Sequence, residues 1–311
     1  MKVPGRSTLP GAPHSEVSTV NWMKRQQLIG YLFVLPSVLG VTVFFLIPLL
    51  FSFGLAFTNW VGPAGRGLRF VGLANFQRLL SDEVFLKAIG NNILYLLHVP
   101  LSVVLGFLAA SALNRRIYLR NPLRAAFFLP YLISAIAIGF SWMLLFHPTQ
   151  GPINQFLMSV GMTDPPGWLA STKSAMLAII IIATWQSLGF NMIIFLAVLQ
   201  DVPQELKEAA QIDGAAGWQV TRHITLPFIS PITFFLLVIG TMNAFKSFGL
   251  IQAVTGGGPA NSTLILPLYV YRTAFRYYEM GYASAIAIVL FLIIFSFTVL
   301  QWYGQKKWVH Y

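Results

Sequence analysis

Apolar positions in this chain run together in long blocks; they do not recur every third or fourth residue as on a soluble helix. Six blocks, about 28–56, 90–113, 124–146, 175–199, 228–250 and 281–303, reach the ~20 mainly apolar residues that a helix needs to cross a bilayer. The pattern predicts an all-α integral membrane protein with six transmembrane helices. Pro36, Pro48, Pro100 and Pro130 fall inside the blocks; membrane helices tolerate proline where neighbours re-satisfy the freed carbonyls. The first block is not read as a signal peptide, because its apolar part is too long and a polar lead precedes it. That lead, 1–27, is rich in Gly, Pro and Ser and is expected to be a disordered cytoplasmic tail. The transmembrane domain is then 28–311.

Composition agrees with the pattern. The 311 residues are 56% hydrophobic and only 9% charged, with mean hydropathy +0.70, against about 25% charged in soluble domains. The absence of cysteine excludes disulfide scaffolds, thiolate metal sites and cysteine nucleophiles. A net charge of +11 on a soluble protein would suggest nucleic acid. Here no basic and aromatic segment lies outside the apolar blocks, and basic loops facing anionic lipid account for the charge.

Lys and Arg also set the orientation. With the N-terminus inside, twelve of the 20 basic residues fall on the cytoplasmic side and eight outside or at the outer boundary. The dense turn "NRRIYLRNPLR" between the second and third blocks decides the direction, so both termini are expected inside. Outside, 69–85 reads as a short amphipathic helix at the interface, and 147–168 as a turn-rich loop. No repeat of fixed solenoid period is visible.

The polar interruption "EAAQIDGAAGWQVTRHITLPFISP", 208–231, lies on the predicted cytoplasmic side. Four of the nine acids of the chain, Asp201, Glu205, Glu208 and Asp213, gather in or just before it. Asp201 can cap a helix, Pro203 suits its first turn and Glu205 sits near the positive end of its dipole. A helix over about 203–212 then meets Gly214, which can take the left-handed turn that ends it. A second short helix, 215–223, leads to Leu226-Pro227, and Pro227 and Pro231 suit the opening turns of the fifth span. Ala209, Ala210, Ala215 and Ala216 offer a smooth surface for another protein. An amphipathic helix resting on anionic lipid would carry Lys and Arg instead.

Glu208-Ala209-Ala210, Gly214, Ile224 and Leu226-Pro227, at this spacing, resemble the "EAA loop" of the permeases of bacterial ABC importers. Other stretches, "LPSVLGVTVFFLIPLLFSFGLAFTNW" (35–60), "FVGLANFQRLL" (70–80), "TGGGPANST" (255–263) and "MGYASAIAIVLFLII" (280–294), are similar to the carbohydrate-uptake branch of that family. Within it they resemble the larger maltose-permease type without its extra outer domain. The resemblance covers about 28–311. It implies a type I importer fold in a bacterial or archaeal inner membrane, with a second permease subunit, two ATPase subunits and an extracytoplasmic solute-binding protein as partners. It further implies that the loop at about 200–227 seats on the ATPase. Glu208 would then meet an ATPase arginine, Asp213 and Gly214 would form the turn, and Trp218 would stand where a bulky aromatic is usual. The C-terminal "VLQWYGQKKWVHY" resembles permeases for glycerol 3-phosphate, so a polyol phosphate stands beside sugars as the solute.

The chain contains no G-x-x-x-x-G-K-[ST] phosphate cradle. It is therefore expected to be no enzyme and to hold no cofactor, with ATP and Mg on the partner ATPase. "TGGGP" has no following lysine and reads as a turn. An ion-coupled secondary transporter is the alternative, but such proteins use membrane-embedded Asp or Glu, and all nine acids fall in tails, loops or boundaries. "GFSW", 139–142, lacks the G-x-S-x-G context of a serine nucleophile. His98 and His147 have no partner at metal-ligand spacing and read as polar residues near the outer boundary. For the solute path, span five offers Asn243 and Ser247 on a helical face with Gly240 and Ala244. Span four offers Gln186, Ser187 and Asn191, with Phe190 one turn beyond Gln186. Lys246 reads as a snorkelling lysine.

Overall fold

The computed structural model describes residues 16–62, 67–115 and 118–306. Among them the regular secondary structure is helical, apart from one isolated antiparallel bridge between Thr58 and Phe70. Its helices, in order, are α1 (Glu16–Val41), α2 (Ile47–Leu55), α3 (Ala74–Ser81), α4 (Glu83–Tyr95), α5 (His98–Leu113), α6 (Arg120–Leu132), α7 (Ala135–Leu145) and α8 (Pro152–Ser159). There follow α9 (Ala175–Asp201), α10 (Gln204–Ile212), α11 (Gly217–Val220), α12 (Leu226–Phe228), α13 (Ser230–Lys246), α14 (Gly249–Val254), α15 (Leu266–Phe275) and α16 (Met280–Gln305).

Residues up to Gly54 make one compact unit and those from Leu55 onward a second. In the first, α1 passes through a π-helical turn, Thr42–Leu46, into α2. The expected lead needs correction here. Helix begins at Glu16, so 16–27 is helical and not disordered; Gly and Pro concentrate in 4–13, and 16–27 contains neither. Residues 1–15 lie outside those described, as do the basic positions Arg66, Arg116 and Lys307.

In the second unit α9 is the central strut. Its first half joins α4, α14, α15 and α16 around a core that includes Phe85, Ile179, Ile182, Ile251, Ile265 and Ile286. Its second half joins α5 and α13 around Val103, Met192, Phe195, Leu199 and Leu236. Small residues let the helices approach, as in other membrane bundles. A Cβ on Gly106 of α5 would sit 2.6 Å from Cβ of Asn191, and one on Gly189 of α9 would sit 1.9 Å from the Phe127 carbonyl oxygen of α6.

Four helical segments are long and apolar enough to cross a membrane: Lys24–Leu55, Glu83–Leu113, Ala175–Asp201 and Met280–Gln305. Two bent pairs raise this to as many as six: α6 with α7, bent by 104°, and Gly217–Phe228 with α13, bent by 63°. Proline explains most departures from straight helix, because its ring displaces the carbonyl four residues back. The π-turns Thr42–Leu46 and Thr221–Thr225 each end two residues before a proline, Pro48 and Pro227. The break between α4 and α5 spans Leu96, four residues before Pro100. Other expected bounds shift. The second span starts at Glu83 rather than about 90. The fifth starts after Ile229 and ends at Lys246. The amphipathic segment 69–85 is not one helix: α3 covers 74–81, Asp82 ends it and caps α4, and 83–85 belong to α4. The loop 147–168 contains α8.

Candidate functional site

The acidic interruption folds into two short helices with a turn between them. Asp201 does not cap the first, because α9 runs on to include it; the cap position falls to Pro203, with no side-chain bond. Gly214 has φ +80°, the left-handed conformation that a residue with a side chain resists. The turn is closed by the Ala215 amide donating to the Ala210 carbonyl (2.9 Å) and the Gly214 amide donating to Gln211 (3.0 Å). Gln219 then accepts from the Ala216 amide at 2.6 Å and starts α11. The second helix is shorter than 215–223: four residues of α-helix pass into the π-turn before Pro227. Glu208, Ala209, Asp213 and Gly214 are exposed, as is Leu226, while Ala210, Ile224 and Pro227 are half-buried. The hollow between the helices, about 270 Å³, is lined by Ala210, Asp213, Gly214, Ala215, Val220 and Ile224 among others. Trp218 is 66% exposed and Ile212 85%. An isoleucine that open is scarcely packed among the described residues, and no sequence pattern singled it out.

A second feature lies among α5, α6, α9 and α13. A cavity of about 50 Å³ is lined by His98, Ser102, Tyr131, Ser187, Phe190, Asn191, Gly240 and Asn243, with apolar neighbours. Five of the residues expected on the solute path, Ser187, Phe190, Asn191, Gly240 and Asn243, meet there. Phe190 stacks on Tyr131 with ring centres 4.8 Å apart, and the Asn191 amide donates to Ser102 Oγ at 3.0 Å. Three others do not join them. Ser247 follows the end of α13 in extended backbone, off the helical face, and pairs with the Tyr95 hydroxyl at 3.0 Å. Ala244 is buried in the core, and Gln186 donates to the Ile133 carbonyl at the α6–α7 bend (3.4 Å). Gly240 lets α13 approach α5, since a Cβ there would meet Val99 at 2.6 Å.

His98 is corrected from the outer boundary to the buried wall of this cavity. Its Nδ1 lies 2.6 Å from the Tyr95 carbonyl. A carbonyl only accepts, so Nδ1 carries the proton. His98 and Ser102, one helical turn apart inside an apolar block, were the signal the sequence offered.

A polar cluster joins α3, α4, α15 and α16. One carboxylate oxygen of Asp82 accepts from the Val84 and Phe85 amides (2.9 and 3.1 Å). The other accepts from the hydroxyls of Tyr269 (2.5 Å) and Tyr282 (2.6 Å). Burial works against the Asp82 charge, but these four donors outweigh it and hold its pKa below the usual carboxylate value. Arg78 pairs with Glu279 at 2.7 Å and lies 4.0 Å over the Tyr282 ring. Although burial opposes its charge, Glu279 raises its pKa. Burial and the bond to Asp82 push the Tyr269 phenol upward.

Residues 102–308 match the family of binding-protein-dependent transport system inner membrane components. The chain belongs to this family. It is 35% identical to the sn-glycerol-3-phosphate transport system permease protein of Agrobacterium fabrum, over 92% of this chain and 97% of that one. It is 34% identical to the trehalose/maltose transport system permease protein of Thermococcus litoralis, over 88% of this chain and 92% of that one. In fold it is similar to a chain of a bacterial ABC transporter involved in the import of alginate, with TM-score 0.79, 24% identity, and coverage of 93% and 99%. This family member is thus a permease subunit of an ABC importer and a multi-pass inner membrane component with the type I importer fold. The ion-coupled alternative falls with that assignment.

Proposed function

We propose that this subunit imports a sugar or a related polyol phosphate, crossing a bacterial or archaeal inner membrane six times with both termini in the cytoplasm. In this reading it forms half of a pore with a different second permease. Two ATPase subunits, which carry ATP and Mg, dock on the segment α10–α12, and an extracytoplasmic binding protein delivers the solute. The observation that carries the reading is the exposed acidic helix pair turning at Gly214. It presents Glu208, Ile212 and Trp218 outward, exposed among the described residues. Glu208 is proposed to meet a basic group of the ATPase. The solute class rests on relatives whose names give glycerol 3-phosphate, lactose and trehalose/maltose, and on the cavity wall. That wall sets hydroxyl and amide groups beside stacked aromatic rings, a lining suited to hydroxylated solutes.

The direct test is to purify the chain with its neighbouring subunits and screen solutes for stimulation of ATPase activity; a sugar or polyol phosphate should stimulate. Glu208→Lys should weaken assembly or uncouple hydrolysis, since truncating one partner of a buried charged pair costs about 2–5 kcal/mol. Gly214→Val should do likewise. Open space surrounds its missing Cβ, so the harm comes from backbone strain alone, on the order of 1–2 kcal/mol. Normal assembly and transport in both variants would remove the docking assignment.

A further inference from the structure

The protons on the wall of the cavity among α5, α6, α9 and α13 can be placed one by one. His98 and Asn191, each 6% exposed, line it. The Nδ1 proton of His98 goes to the Tyr95 carbonyl, so in the neutral ring Nε2 is an acceptor. Ser102 gives its one proton to the Val99 carbonyl at 2.9 Å. Toward Asn191 it can therefore only accept, which turns the Asn191 NH2 group to Ser102 and leaves Oδ1 as a second acceptor. Neither Nε2 nor Oδ1 meets a partner among the described residues, and neither is one of the polar atoms sealed from solvent. With both side chains more than nine-tenths buried, what these two atoms open onto is the cavity.

A pair of acceptors asks for hydroxyl donors. No Asp, Glu, Lys or Arg lines the cavity. A phosphate group would set acceptor oxygens against acceptors and bury its charge without a counterion on this wall, which is costly. Ser187 and Asn243 are less buried and can both give and take hydrogen bonds, so they serve further hydroxyls. We propose that His98 is a specificity-determining residue: its Nε2, with Asn191 Oδ1, accepts hydroxyl protons of the passing solute, and that solute is an uncharged carbohydrate and not a phosphate ester. The inference rests on the permease reading above and narrows its solute class.

The complex of this chain with its partner subunits and binding protein, in liposomes, tests both halves through solute-stimulated ATP hydrolysis. A panel of neutral mono- and disaccharides, with maltose, trehalose and lactose among them, should contain an activator, and glycerol 3-phosphate should not activate. Two variants split the functions of the ring. Glutamine at 98 reaches as far as Nε2 and keeps an acceptor there, but gives up the donor to Tyr95. Asparagine reaches only as far as Nδ1, so it keeps that donor and loses the acceptor. His98→Asn should lower sugar-stimulated hydrolysis roughly two- to tenfold, as for one neutral hydrogen bond. His98→Gln should stay within about twofold of wild type. If His98→Gln is no more active than His98→Asn, whether both are normal or both impaired, the ring is a structural prop and its proposed role is overturned. Activation by glycerol 3-phosphate as strong as by any sugar overturns the preference for a neutral solute. If neither class activates, the solute reading itself fails and this inference falls with it. Should the variants not assemble, isotope-labelled histidine spectra of the wild-type complex decide. The Nε2 resonance of an Nδ1–H ring must move when the activating sugar is added, and a fixed resonance overturns the proposal.

Discussion

Replacing Asp82 with alanine removes four hydrogen bonds that tie α3 and α4 to α15 and α16. Loss of the helix cap costs about 0.5–2 kcal/mol, and loss of a bond to a charged acceptor about 1.5–3. The two tyrosines share one oxygen, so their contributions do not add in full. A destabilisation of about 2–4 kcal/mol results. Asp82→Asn separates the parts. Asparagine caps as well as aspartate, but it carries no charge for the two hydroxyls to meet. It should lose about 1.5–3 kcal/mol and keep α4 intact.

The pH dependence follows from the lowered pKa. A carboxyl whose folded pKa is depressed stabilises the fold fully above its unfolded value, about 4, and loses that contribution as pH falls through the folded value. Thermal unfolding of the purified complex, followed by tryptophan fluorescence, should therefore show wild type above Asp82→Asn at neutral pH and the two converging in acid. Equal melting of wild type and Asp82→Ala at neutral pH would refute the reasoning. So would a gap between wild type and Asp82→Asn that persists undiminished in acid.

Gly189→Ala should destabilise by about 1–3 kcal/mol, read as a lower melting temperature, because its Cβ would lie 1.9 Å from a backbone oxygen of α6 that cannot rotate away. Asn243→Leu should slow transport severalfold, about 0.5–1.5 kcal/mol for one neutral hydrogen bond, while the binding protein's solute affinity stays unchanged; wild-type rates would make that wall structural. In this cysteine-free chain, single cysteines at Asn121 and Gln211 should label with an impermeant reagent only from the cytoplasm, and at Gln155 only from outside. Labelling of Gln211 from outside would overturn the proposed topology.

The apolar blocks made the helices legible because a run of ~20 apolar residues has few other places to go. Bounds were less legible where a polar residue takes a backbone role: Asp82 starts α4 earlier than hydropathy suggests, and Asp201 stays inside α9. The Gly214 turn was readable because only a residue without Cβ sits easily at φ +80°. Ser247 was misplaced because a helical face was extended one residue past Lys246, where the backbone opens. The Asp82 cluster draws its tyrosines from 187 and 200 residues away, a separation at which no local pattern signals contact.

The cavity of about 50 Å³ is far smaller than the roughly 300–1,000 Å³ of a small-molecule site, so a sugar ring passes only if its walls move or another subunit adds space. The bends lie beside those walls. Tyr131, which stacks on Phe190, sits two residues before the α6–α7 bend at Ile133. Gly240 and Asn243 stand on α13, whose start is the 63° bend at Ile229. On the other side of Ile229 the chain continues directly into α12 and α11, the segment proposed to receive the ATPase. Displacing that segment therefore loads a helix whose body carries part of the cavity wall. Within one span, the site proposed for ATPase docking and the site proposed for solute are separated by a single break, which is the economical place for the two to be coupled.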